Sequence, residues 1–436
     1  MGRVPSVSGS RWRAILVAGA GLCVLACPAF AADAPEKGLL TVYANLDLAA
    51  ADAPRAWLDD GGTGKARFGN PDGKSLRVRP YVTEMGVVLQ PEFGWSLSGL
   101  VSAVAQQGQH KTIDLNEAYL RWRPLPLGGV RVNLRAGIFW PPVSLEHGGG
   151  EWRVNDTITP SAINSWIGEE VKVAGVEAGF TTMIGEHRLS LTAAAFGLND
   201  TSGTLLTFRG WALHDEKATL FSYQPLPVTN AFMRDAQAPK TRPMIDLDHH
   251  AGWYAKLAWA PPGPFELQYF HYDNRGDPIA FDDGLQWGWR TRFDHLGAIL
   301  DIDPRTRLVA QAVDGTTIMG FTFGPGTRRW VDMRYRSAFL LATRKVTMGA
   351  VTGTVSGRIE AFDTRNRGSA VHGDDDETGW AATAAARWPL FRYATVLAEA
   401  LRIDSRRDAR LRESVAPRQH QNILRLTLRL RGVVGD

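Results

Sequence analysis

The last regular stretch of the chain, Gln421 to Arg431, reads QNILRLTLRLR. Successive side chains of an extended strand point to opposite faces, so Leu424, Leu426, Leu428 and Leu430 share one face and Arg425, Thr427, Arg429 and Arg431 the other. A strand of this kind covers either a soluble core or a membrane barrel with lipid on its apolar side. Val130 to Phe139 repeats the pattern, with Val130, Val132, Leu134, Ala136 and Ile138 opposite Arg131, Asn133 and Arg135.

Working outward from these two stretches, period-2 alternation marks about sixteen strands. They lie at 39–48, 76–90, 93–106, 114–123, 130–139, 170–183, 188–198, 251–259, 265–272, 289–301, 305–314, 330–344, 350–363, 379–388, 392–404 and 421–431. Most reach the ~9 to 11 residues that a tilted strand needs to cross a bilayer. The connections alternate in length. Tight links such as Ile184-Gly185-Glu186 and Ile302-Asp303-Pro304 take turns with long ones at 49–75, 140–169, 199–250, 273–288, 315–329, 364–378 and 405–420, the link at 107–113 being brief. That asymmetry predicts an all-β fold: a transmembrane antiparallel β-barrel of about sixteen strands with long external loops, short periplasmic turns and both termini periplasmic. Tryptophans crowd strand ends, at Trp95, Trp122, Trp140, Trp253, Trp259, Trp330 and Trp388, as an interfacial girdle requires. Beyond the N-terminal segment no apolar run approaches the ~18 to 20 residues of a membrane helix.

Residues 1–31 read as a signal peptide, with Arg3, Arg11 and Arg13 ahead of an apolar run from Ala14 to Cys27 and small residues at Ala29 and Ala31. Residues 32–436 then form a single outer-membrane barrel. Removing the leader takes away both cysteines and three arginines, so the formal charge falls from +4 to +1 (4 − 3). A near-neutral chain without a concentrated basic face argues against a nucleic-acid partner.

If the apolar face meets lipid, the polar face lines a lumen. Its candidate anion-contacting residues are Arg77, Arg79, Arg121, Arg123, Arg131, Arg135, Arg188, Arg334, Arg336, Arg358 and Arg429, interspersed with Glu117, Glu266, Asp332, Glu360 and Glu399. Either these arginines form ladders that favour anions, or each is neutralised by a neighbouring carboxylate. The stretch Trp140 to Glu170, WPPVSLEHGGGEWRVNDTITPSAINSWIGEE, is too long and too rich in Gly and Pro for a turn. It is expected to fold into the mouth as a constriction carrying Glu146, Glu151, Arg153, Asp156 and Trp166, with the three carboxylates facing the arginines. Thr159 as N-cap and Pro160 as the first helical residue predict a short helix, with Ile163 and Trp166 pressed on the wall. The 199–250 loop contains a short helix or covers the pore from outside.

The segment Asn116 to Arg123, NEAYLRWR, followed by Arg135 to Glu146, RAGIFWPPVSLE, resembles the fourth and fifth strands of the phosphate-selective porins O and P. Membership would imply a trimeric outer-membrane channel, an arginine ladder in the lumen and an inward third loop. Lysine is scarce, Trp140 stands where that family often has a basic residue, and the chain ends without a terminal aromatic. The expected function is passive diffusion of small hydrophilic solutes, anions among them, through an outer-membrane porin in contact with lipid and lipopolysaccharide. Two alternatives are an export barrel for an anionic polymer and an outer-membrane hydrolase built on Ser161 or Ser165 with His147. No cofactor is indicated. Neither Asp246, Asp248, His249 and His250 nor the acidic run Asp374 to Glu377 has a spacing that fixes a metal site. If the leader is cleaved after Ala31, Edman sequencing of the protein from outer membranes will begin at Ala32.

Overall fold

The computed structural model describes residues 39–59, 61–70, 77–369 and 375–435. The expected leader, the side chain of Arg77 and Asp374 lie outside this set.

Sixteen antiparallel strands close into a barrel in which each strand pairs with its sequence neighbours and the last with the first. They are β1 Leu40–Asp52, β2 Arg77–Leu89, β3 Leu97–Gln106, β4 Asp114–Trp122, β5 Arg131–Phe139, β6 Val173–Ile184, β7 His187–Gly197 and β8 Gly252–Ala260. The other half is β9 Phe265–Asp273, β10 Arg290–Asp303, β11 Thr306–Thr322, β12 Arg329–Met348, β13 Val351–Asn366, β14 Glu377–Phe391, β15 Ala394–Arg407 and β16 Arg418–Val434. The closing ladder runs unbroken from Leu40 opposite Val434 to Asp52 opposite Asn422. Closure leaves no strand edge unpaired. Tight turns such as Gly185-Glu186 lie at one end, and the long segments emerge at the other.

Alternation places the side chains as expected on β16. Leu424, Leu426 and Leu428 face outward, while Arg425, Thr427 and Arg429 are buried inside. Trp95, Trp122, Trp253 and Trp259 are exposed on the outer surface. Trp140 is not in that girdle: it is buried in the lumen, its ring stacked 4.0 Å from Trp152.

The pattern inverts on β12. Its inward face carries Val331, Met333, Tyr335, Phe339 and Leu341, all buried, and its outward face carries Asp332, Arg334 and Arg336. The last two form exposed forks with Asp314 of β11 and Asp363 of β13. Arg334, Arg336 and Asp332 are therefore not lumen residues, contrary to the expectation from sequence. The reason is strand length. β12 has 20 residues, about twice what a bilayer requires, so its long-loop end rises beyond the apolar band, where the outer surface is free to be charged. The interior there is apolar because it packs against inserted chain, not water.

Strand ends shift for local reasons. β3 starts at Leu97 because the preceding residues fold into a turn, with Phe93 N–H donating to Leu97 O and Gly99 N–H to Pro91 O. β11 continues to Thr322, which shortens the connection expected at 315–329.

These placements predict opposite outcomes for two charge changes. In lipid vesicles, Leu426→Arg on the outer band should lower unfolding stability by about 2 to 4 kcal/mol. Arg334→Ala should leave the urea midpoint unchanged.

Candidate functional site

The segment from Trp140 enters the lumen and carries α1, Ala162–Glu170, every residue of which is buried. Ser161 caps it, accepting from Asn164 N–H at 3.3 Å. The helix thus begins two residues later than Thr159 and Pro160 suggested, because their carbonyls, which would open the helix, accept from Arg358 instead; just before it, Glu399 Oε2 accepts from Thr159 N–H at 2.9 Å and from Ile158 N–H at 2.7 Å. Glu360 Oε2 accepts from Ala162 N–H at 2.7 Å, and Glu146 Oε2 from Ser161 N–H at 2.9 Å. Helix N-termini present unpaired N–H groups and a positive dipole end. Three carboxylates satisfy both here.

Two of those carboxylates, Glu360 and Glu146, are themselves held by Arg358, which is 1% exposed. It donates from Nε to Glu360 at 2.8 Å and from Nη1 to Glu146 at 2.9 Å, and also to the carbonyls of Thr159 at 2.9 Å and Pro160 at 3.0 Å. Farther along the helix, Trp166 sits between Phe293, Tyr335 and Trp211, with ring centroids 5.2, 5.1 and 6.1 Å away. The inner face of β7 to β13 meets this helix with Phe196, Tyr254, Phe270, Phe339 and Phe362, forming a hydrophobic core inside the barrel.

A second segment, 199–219, descends beside the first and contains α2, Thr204–Phe208. Its Arg209 forks onto Glu169 at 2.5 and 2.7 Å, and His214 meets the same carboxylate at 2.7 Å. Asp215 bridges Arg67 and Arg425, each at 3.0 Å, and Arg425 reaches Asp47 of β1 at 2.9 Å. Burial works to raise the Asp215 carboxyl, but the two guanidiniums outweigh it and hold it well below the usual range. Burial pushes neighbouring Glu216 up to about 8. Lys217 pairs with Glu84 of β2 at 2.6 Å. The sequence predicts a short helix in 199–250 or a cover from outside; α2 is such a helix, and the segment that carries it runs into the lumen. Its run Arg209 to Lys217, RGWALHDEK, is dense in charges of both signs, as a chain paired to lumen charges must be.

The remaining predicted residues divide into paired and unpaired. Arg135 is neutralised by Glu177 at 2.8 Å, and Arg188 by Glu266 at 2.8 Å. Glu117 accepts from Trp140 N–H at 3.3 Å. Glu151 pairs with Arg153 at 2.8 Å and with Arg431 at 2.7 Å, while half-buried Asp156 lies on the same inserted segment. Arg121 donates to the Tyr119 hydroxyl at 2.8 Å and Arg123 to Asn133 at 3.2 Å. Arg131 is exposed on the same inward face. Arg121, Arg123 and Arg131 cluster at the tight-turn end and form no ion pair among the described residues. Arg79 borders a small cavity with Phe68 and Tyr81. Between the inserted segments and the wall of β16, β1 and β2 lies a small cavity of about 20 Å³, lined by Glu84, His147, Arg153, Glu216, Lys217 and Arg429 among others.

Among the described residues, the serine–histidine pair considered from the sequence is not brought together. Ser161 is the helix cap and Ser165 bonds the His214 backbone, while His147 Nδ1 lies 3.0 Å from Ser144 Oγ instead. Asp200, Asp246 and Asp248 converge within 4.8 Å. Asp200 is spent on a turn, accepting from Leu247 N–H at 2.6 Å, and His249 and His250 contact their neighbouring aspartates at 3.4 Å. Of the acidic run, Asp375 pairs with Arg407 and Arg412.

No protein-family model and no curated protein matches the sequence. Among solved structures, the outer membrane channel DcaP of Acinetobacter baumannii superposes with a TM-score of 0.53 at 11% identity, over 93% of this chain and 100% of that one. An anion-selective porin from Comamonas acidovorans gives 0.48 at 11% identity, over 90% and 98%. The first likeness establishes a shared barrel fold and leaves function to the residues.

Removing Arg358 strands two buried carboxylates. Arg358→Ala is expected to cost about 3 kcal/mol or more in urea unfolding and to expose the 140–170 segment to protease. Arg358→Lys, which keeps the charge but loses the fork, should fall between the two.

Proposed function

We propose that the chain is an outer-membrane channel of porin type, passing small hydrophilic solutes through the gap between the inserted segments and the β16–β1–β2 wall. The observation that carries this reading is a closed barrel, apolar outside, whose interior is narrowed by its own chain to a small cavity lined with charge. A sheet that is apolar outward and charged inward suits a lipid-surrounded aqueous path. The shared architecture of the Acinetobacter channel supports the same reading. The tight-turn end is then periplasmic, and the chain sits in lipid and lipopolysaccharide.

Anion preference is part of the proposal and rests on few groups. Arg135, Arg188 and Arg358 are neutralised, so the field for anions comes from Arg121, Arg123 and Arg131 at the periplasmic mouth and from Arg429 in the cavity. Homotrimerisation is proposed from the resemblance alone. A second reading, export of an anionic polymer, is favoured by one feature: the external half is filled by 199–219 and the 61–70 segment, whereas the periplasmic mouth keeps exposed arginines.

Reconstituted in a planar bilayer, the protein should give small stepwise currents. Trp166→Ala, which removes the aromatic seat of α1, should enlarge the steps. A well-inserted sample that stays silent in both forms would sink the channel reading.

A further inference from the structure

Toward the long-loop end each of the sixteen strands turns buried side chains inward, Asp47, Asn116, Phe196, Tyr254, Tyr335 and Ile403 among them. The inserted segments fill this half of the lumen. Two small cavities follow the wall of β1 and β2. The one of about 20 Å³ meets β1 at Asn45 and β2 at Glu84. The other, of about 10 Å³, meets β1 at Ala49 and Ala51 and β2 at Arg79 and Tyr81, with Phe68 opposite. Each has room for about one water. Between the two sets of wall residues stand Asp47 on β1 and Thr83 on β2, both buried.

A closed ring of polar bonds separates the cavities. Arg425 of β16 donates to Asp47 at 2.9 Å and to Asp215 of the second insertion at 3.0 Å. Arg67, on the 61–70 segment, donates to the other Asp215 oxygen at 3.0 Å and to Thr83 O at 2.9 Å. The Thr83 hydroxyl completes the ring by donating to Asp47. Phe68 covers it, 5.0 Å from the Arg425 guanidinium and 4.4 Å from the Tyr81 ring. Asp215 is the link by which the insertion joins this ring. Its neighbours reinforce it, Glu216 lying 3.2 Å from Arg67 and Lys217 pairing with Glu84 at 2.6 Å.

This seam differs from the docking of α1. All three guanidinium nitrogens of Arg358 are hydrogen-bonded, whereas along the seam Arg67 Nε, Arg425 Nη1, Arg429 Nε, Asn45 Oδ1 and Glu216 Oε2 make no hydrogen bond. Unpaired buried polar groups carry a free-energy penalty that hydration relieves when the seam opens. Breaking the ion pairs of Asp215 works the other way, because a charge left unpaired in a dry interior is costly. Water entering from the two cavities reduces that cost at the moment of opening. We infer that the ring of Asp47, Arg425, Asp215, Arg67 and Thr83 is a gate: shut in this structure, it opens when Asp215 leaves Arg425, joining the two cavities into one path along the wall while α1 stays docked. The inference rests on the channel reading and adds to it that conduction is intermittent and controlled by one carboxylate.

Asp215→Asn tests this, since it leaves Arg425 with Asp47 and Arg67 with Glu216. In a planar bilayer it should raise the open fraction at least about tenfold, while Asp215→Glu, which keeps the charge, should raise it far less. A second readout needs no current. Cys23 and Cys27 are the two cysteines of the sequence and both lie in the expected leader, so single introduced cysteines can report on the mature barrel in vesicles. A water-soluble thiol reagent should modify Asn45→Cys and Ala49→Cys at least about tenfold faster when Asp215→Asn is also present. Ala162→Cys, at the start of α1, should stay slow in both backgrounds. If Asp215→Asn does not fold, Arg67→Gln takes its place with the same expected direction. Unchanged rates and open fraction would overturn the inference in favour of a fixed plug. Acceleration at all three cysteines would also overturn it, because the whole interior would then have loosened. Faster modification of Asn45→Cys and Ala49→Cys in a protein that never conducts would defeat only the channel reading, whereas conduction with no change of rate or open fraction would defeat only the gate.

Discussion

The interior depends on one buried guanidinium. Arg358 reaches from β13 into the lumen and binds Glu360, Glu146 and two carbonyls of the inserted chain. A single charge moved into a low-dielectric interior is costly, and only full pairing and hydrogen bonding offset that cost. Here the pairing is shared between the wall, through Glu360, and the insertion, through Glu146, so neither is satisfied without the other. The same carboxylates take the N–H groups at the start of α1. The helix is therefore oriented by its N-terminus and seated by Trp166 at its middle.

Docking the helix on one wall makes the barrel asymmetric. The faces of β7 to β13 turned toward it are aromatic and aliphatic and have become a core. The small remaining cavity lies on the opposite side, where β16, β1 and β2 present Arg429, Asn45 and Glu84 beside the loop residues Arg153 and Lys217. The second insertion closes the external half by ion pairs such as Asp215 with Arg67 and Arg425. Narrowness on one side and polarity on that same side are two consequences of a single packing arrangement.

Much of this was legible in the sequence. The alternation in 421–431 determined which face of β16 is inward, and loop lengths counted the strands, because both follow from local geometry. The inward course of 140–170 and the seat of Trp166 were also readable, since a long Gly/Pro-rich insertion with an apolar pair cannot lie in water at no cost. The inward course of 199–219 was not, because its partners Glu84, Glu377 and Arg425 are remote in sequence. Nor was the outward placement of Arg334 and Arg336. Polar-in alternation assumes a water-filled lumen, and β12 faces a packed one. Whether Arg429 finds an ion-pair partner depends on which carboxylates reach which cations, something that composition does not determine.

Amide hydrogen exchange across residues 158–171 in the folded barrel tests the central claim, that the inserted helix is part of a packed interior held by Arg358. The amides of Ala162 to Glu170 should exchange as slowly as those of the barrel strands, since both open only with the core. Complete exchange within seconds, while the strands stay protected, would show an unanchored loop and contradict the account.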